Sequence, residues 1–89
     1  MKVIPIKPEP NQSLFVRLGA YNYSLEIITR LGCQYITVAV NSSILVSNRA
    51  LKSFAPIEGD LVLVDTQGSD DPTWEQLGTR FKLVCMREL

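Results

Sequence analysis

A period of two runs through most of this sequence, and it excludes more folds than any other feature. Leu14, Val16 and Leu18 alternate with Ser13, Phe15 and Arg17; after Gly19-Ala20, the residues Tyr21, Tyr23, Leu25 and Ile27 share one face again. Neighbouring side chains of a strand point to opposite sides, so these runs are amphipathic only as strands. The Gly-Ala break between them is a hairpin signature. Leu31-Gly32 ends the second run, and Cys33 to Val40 forms a third, with Ile36, Val38 and Val40 on one side and Tyr35 and Thr37 on the other. Asn41-Ser42-Ser43 reads as a turn, Ile44 to Val46 as a short strand and Asn48 to Pro56 as loop. After the turn Glu58-Gly59-Asp60, the unbroken run Leu61-Val62-Leu63-Val64 is the strongest candidate for a core strand. Phe81, Leu83 and Cys85 alternate as the last strand, ahead of an Arg87-Glu88-Leu89 tail.

No segment keeps a helical period for the length of an ordinary helix. Asp71 as N-cap, Pro72 at the first helical position and Gly78 at the end predict one helical turn over 72–77. The expected fold is therefore all-β: a small antiparallel β-barrel or a two-layer sandwich of six or seven strands, because a single flat sheet would leave one face and two edges uncovered. At 89 residues the chain has room for one domain, 1–89. Pro5, Pro8 and Pro10 remove three backbone donors, which makes residues 1–11 an extended arm suited to reaching a neighbour, or a short edge strand.

Composition narrows the partners. Nine basic residues balance nine acidic ones without a basic run, so the chain lacks the footprint expected for nucleic acid or an anionic membrane. No apolar run approaches the roughly 18 residues that span a bilayer, and prolines interrupt the N-terminal apolar stretch before a signal sequence forms, which predicts a cytoplasmic chain. A domain of this size buries only about 60% of its unfolded surface. Oligomerisation or docking is then the expected support, since the sequence has no His and no cysteine pair from which to build a zinc site. Cys33 and Cys85 stand in apolar strand-like runs and read as buried reduced thiols, with a lone disulfide as the alternative.

The same absences argue against catalysis. Without His neither a triad nor a Cys-His dyad forms in the usual way. Asp60, Asp65, Asp70 and Asp71 match neither a calcium loop nor a carboxylate pair and read as solvated loop acids. The five dispersed glycines form no phosphate cradle, and no cofactor is expected. Phe15, Tyr21, Tyr23 and Tyr35 beside Arg17 and Arg30 supply the alternative function, a small β-barrel that stacks single-stranded nucleic acid, although its basic groove is missing. Trp74 has two readings: with Leu77 it is a lid over an open end of the fold, or it is an interface anchor.

The run Asp71-Pro72-Thr73-Trp74-Glu75-Gln76-Leu77-Gly78-Thr79, with Phe81-Lys82-Leu83 just after it, resembles the closing motif of the phage baseplate plug family, small proteins of contractile-tailed phages. The likeness extends to Ile4-Pro5-Ile6, to Gln12–Leu18 and Tyr23–Arg30 as first strands, and to Gly59–Asp65 before the motif; Cys33-Gln34-Tyr35 and Asn41-Ser42-Ser43 depart from the family's pattern. The resemblance implies a non-enzymatic virion protein at the baseplate centre, assembled in the host cytoplasm. It would link the tail-tube end to hub and spike and self-associate about a three-fold or six-fold axis. Strand edges and the arm would then add backbone hydrogen bonds to neighbours, with Ile4, Ile6, Phe15, Trp74 and Leu77 as the expected interface residues.

Overall fold

Three two-residue turns in succession decide the first sheet. The computed structural model describes residues 2–87; Met1, and Glu88 and Leu89 of the expected tail, lie outside them. In chain order the strands are β1 (Lys2–Ile4), β2 (Gln12–Leu18), β3 (Tyr21–Arg30), β4 (Cys33–Val40), β5 (Ser43–Ala50), β6 (Pro56–Glu58), β7 (Leu61–Asp65) and β8 (Phe81–Cys85). Leu18 pairs with Tyr21, Arg30 with Cys33 and Val40 with Ser43. Gly19 leads the first turn at φ 64°, the sign that a type II′ hairpin requires there. At the next two turns both central residues have positive φ, as type I′ requires: Leu31 and Gly32 at 51° and 79°, Asn41 and Ser42 at 50° and 72°. Turns of this hand match the strand twist, so β2-β3-β4-β5 lie side by side as an antiparallel meander.

The second four-stranded sheet has the order β1-β8-β7-β6. Leu18, Leu25, Ile27, Ile36 and Val38 of the first sheet meet Ile4, Leu61, Leu63, Leu83 and Cys85 of the second, with Ile57, Leu77 and Phe81 completing the core. The two sheets do not close on each other, so of the two expected architectures the molecule is the sandwich. A bond from Arg49 Nη1 to the Ile57 carbonyl, 2.8 Å, ties the β5 edge to the β6 edge.

Several local expectations change. Among the described residues there are eight strands, because a three-residue strand such as β6 escapes a reading that looks for longer alternation. The stretch read as loop from Asn48 is still strand as far as Ala50. A bulge there holds Asn48 at φ 49°, with its N–H donated to Thr37 Oγ1 at 3.0 Å. The helical turn is a single 3₁₀ turn, Trp74–Gln76, preceded by Thr73 rather than Asp71, and Thr73 makes no side-chain capping bond.

Of the two readings of the N-terminal segment, its start is the short edge strand. β1 pairs with β8, and Ile4 and Ile6 are both buried; between them the Ile6 N–H donates to the Ile4 carbonyl at 2.9 Å, a tight turn centred on Pro5. Gln12 closes the following bend, accepting from the Lys7 N–H at 2.9 Å and donating to the Lys7 carbonyl at 2.6 Å. Cys85 is buried as expected. Cys33 is exposed instead, since it starts β4 on the outward phase, and both thiols are free.

Candidate assembly surface

The register decides which side chains the outer faces of the sandwich present. Phe15 pairs with Ser24, Ser24 with Ala39 and Ala39 with Ile44, so these four residues form one row across the outer face of the first sheet. The ends of the row are large and exposed, Phe15 at 86% and Ile44 at 67%; the middle is small. An open groove of about 670 Å³ lies at the Phe15 end of this row, with Ser24 and Ala39 on its floor and Phe15, Arg17, Asn22 and Asn41 around it. A shallow open trough beside an exposed phenyl ring, with a second exposed apolar group further along the row, suits a protein surface better than a small ligand.

The sandwich ends add three more exposed groups. Near the β2–β3 and β4–β5 turns stand Tyr21 and Leu45, with the Arg87 guanidinium 5.9 Å from the Tyr21 ring centre. The pKa of Arg87 is raised, chiefly by Tyr23 beside it. At the opposite end, Leu31 is 99% exposed in the left-handed region. An Asn would fill that type I′ position with less strain, and a fully wetted leucine gains nothing from it. Leu31→Asn is expected to stabilise the isolated chain by about 1 kcal/mol, read as a rise in midpoint on thermal unfolding; no rise would show that the turn carries no strain.

Of the five expected interface residues, the structure divides two from three. Phe15 is on the outer face, and Trp74 is half-buried, packed against the core like a lid. Ile4, Ile6 and Leu77 are buried in the chain's own core and have no surface left to offer a neighbour without rearrangement. Sequence reasoning missed Ile44 and Leu31. The signal for Ile44 is hairpin arithmetic, since a two-residue Asn41-Ser42 turn sets it opposite Ala39. The aromatic set weighed as a stacking platform is also dispersed: Tyr23 is in the core, whereas half-buried Tyr35 lies beneath Arg30, 6.0 Å from its ring centre.

The acids between β7 and β8 are not all solvated. Asp65 continues the inward phase of Leu61 and Leu63, and its side chain is fully buried. Its Oδ1 accepts from Arg80 Nε at 2.8 Å and from the Gln67 N–H at 2.9 Å; its Oδ2 accepts from Arg80 Nη2 at 2.8 Å and from the Asp70 N–H at 3.0 Å. Arg80 also donates to Asp70 Oδ2 at 2.8 Å. The Arg80 guanidinium holds the Asp65 carboxyl well below the usual carboxylate range against the opposing effect of burial, and the two N–H groups add to the depression. Asp65, then Asp70, raises Arg80 in turn. This is a structural clamp on loop 66–70. Among the described residues, no cluster of His, Cys, Asp or Glu could hold a metal ion.

The closing motif stands just beyond that clamp. Leu77 is buried, Trp74 covers the core edge, and Gly78 at φ 84° lies against the Ile6 carbonyl. Its residues thus fasten the N-terminal segment and the loop to the sandwich, which explains a motif of an aromatic followed by Leu-Gly. No curated protein is a significant match to the chain. The family described as cyanophage baseplate Pam3 plug gp18 matches residues 1–88, which includes every strand and the whole closing motif. This chain, a two-sheet sandwich bolted shut at that motif, belongs to the cyanophage baseplate Pam3 plug gp18 family.

Proposed function

We propose that this chain is a structural, non-enzymatic plug at the centre of a contractile-tail baseplate, joining the end of the tail tube to hub and spike. Membership of the plug family over residues 1–88 carries the reading, and that family implies a place in the virion tail baseplate. The exposed Phe15–Ile44 row supports docking by shape: the hydrogen-bonded sheet sets the spacing of the two apolar groups before a partner arrives. Trp74, half-buried, contributes through the lid it forms. Assembly in the host cytoplasm accords with two free thiols, and the copy number would follow the three-fold or six-fold symmetry of the axis.

The test is co-expression with a candidate hub protein from the same genome, followed by size-exclusion chromatography with light scattering. A shared peak of defined stoichiometry is expected, weakened at least about tenfold by Ile44→Lys, which places a charge in an apolar contact. Separate peaks at high concentration, with hub and tube proteins alike, would overturn the plug reading.

A further inference from the structure

The four sheet edges are not equally protected. β1 and β6 are three residues long, and β6 begins with Pro56. β5 is interrupted by register shifts on either side of its pairing at Val38, and Asn48 twists it out of line. Each of these is a known obstacle to pairing with another chain. β2 has seven residues, no proline, no register shift and no charged side chain facing inward, and among the described residues it pairs with β3 alone.

The ladder also fixes which backbone groups of β2 are open. A two-residue hairpin closes on a hydrogen-bonded pair, here Leu18 with Tyr21, and such pairs then alternate along the strands. Val16, Leu14 and Gln12 therefore bond to β3, whereas Arg17, Phe15 and Ser13 turn their N–H and C=O groups to the open edge. The other rim of β3 shows the same phase, because Asn22, opposite Arg17, gives its carbonyl to the Asn41 N–H on the β4 side at 2.9 Å.

We infer that β2 pairs antiparallel with β2 of a second copy of this chain, in a register centred on Phe15. In that register Phe15 meets Phe15 and Ser13 meets Arg17, and these are the residues whose backbone groups are open, so six backbone hydrogen bonds join the two strands. Leu14 meets Val16 and Gln12 meets Leu18 on the inner phase, apolar against apolar at the centre. On the outer face the two phenyl rings form a cross-strand aromatic pair. Arg17 is the one charge in β2 and faces Ser13, so no like charges oppose each other. The product is a continuous eight-stranded sheet about a two-fold axis. That axis makes it a state of the free chain, since a ring of cyclic symmetry must use a different pairing. The inference does not depend on the plug reading.

Sedimentation velocity across a wide concentration range tests it. A concentration-dependent dimer is expected, weakened at least about tenfold by Phe15→Lys, which sets two cations side by side. Ser13→Pro removes an edge donor without touching the β3 ladder and is expected to weaken the dimer in the same way, while circular dichroism confirms that both variants remain folded. In a Cys33→Ser background, Phe15→Cys should oxidise to a covalent dimer, because hydrogen-bonded partners sit about 5.5 Å apart at Cα, within disulfide reach. A monomer at every concentration would overturn the proposal. So would a dimer indifferent to Phe15→Lys and Ser13→Pro, or one lost only with Ile44→Lys. Each of these results leaves the hub capture experiment free to succeed or fail by itself.

Discussion

Replacing Asp65 with asparagine is expected to lower the thermal midpoint by roughly 10 °C or more at neutral pH, because the change leaves Arg80 partly buried beside a loop that it no longer anchors. The carboxylate accepts four hydrogen bonds, two from the guanidinium and two from the backbone of the loop it encloses. An asparagine offers one acceptor oxygen and turns an NH₂ group toward donors. Arg80→Met is expected to be milder than Asp65→Asn only if the Asp65 carboxylate finds water, and its complete burial argues against that. Differential scanning calorimetry of the two single variants and the double variant measures the coupling; additive effects would show that the clamp holds nothing together.

The same pair predicts an acid-sensitive stability of defined sign. The Asp65 pKa is lower in the folded chain than in the unfolded one, chiefly through its bond to Arg80. Its contribution is therefore fully present above the ordinary aspartate value, about 3.9, and is lost as pH falls from there through the depressed value. Wild type and Asp65→Asn should differ by a constant margin from about pH 5 to 8 and converge below about pH 4. A margin that changed between pH 6 and 8 would point to some other group.

The clamp also shows where the chain could be read from its residues. Alternation at Leu14–Leu18, Tyr23–Ile27 and Ile36–Val40 and the turns between them transfer directly into the meander, since each rests on contacts between neighbours in sequence. Phe15 falls on the outward phase by the same count. What was not legible depends on partners distant in the chain. Asp65 lies in phase with Leu61 and Leu63, but an inward aspartate is credible only once Arg80, fifteen residues on, is known to face it. Ile4 and Ile6 are likewise in phase with each other; the prolines around them leave an arm and an edge strand equally open, and only the partner strand β8 shows that they belong inside. At β5, the bulge at Asn48 shifts the phase midway, so a reader following the period of two loses the strand where it still has ladder bonds to make.

Gly78 carries the other large effect, and it turns the family motif into a packing statement. Gly78→Ala is expected to destabilise the chain by about 3 kcal/mol, a fall of roughly 10 to 20 °C in midpoint, from two sources that act together. Its φ of 84° is costly for any residue with a side chain, by about 1 to 2 kcal/mol. In addition a Cβ there would overlap the Ile6 carbonyl oxygen, which is backbone and cannot swing aside. Gly59 is the matched control: its φ is 54°, but a Cβ would meet nothing within 4 Å, so Gly59→Ala should cost only the conformational part, about 1 kcal/mol. The difference between the two variants isolates the contact between the closing motif and the N-terminal segment. Relief of Gly78→Ala by deleting residues 1–7 would not rescue stability, because Ile4 and Ile6 leave the core with them. Equal losses from both glycine variants would show that Ile6 moves away freely, and that the Leu-Gly step of the motif serves the turn alone.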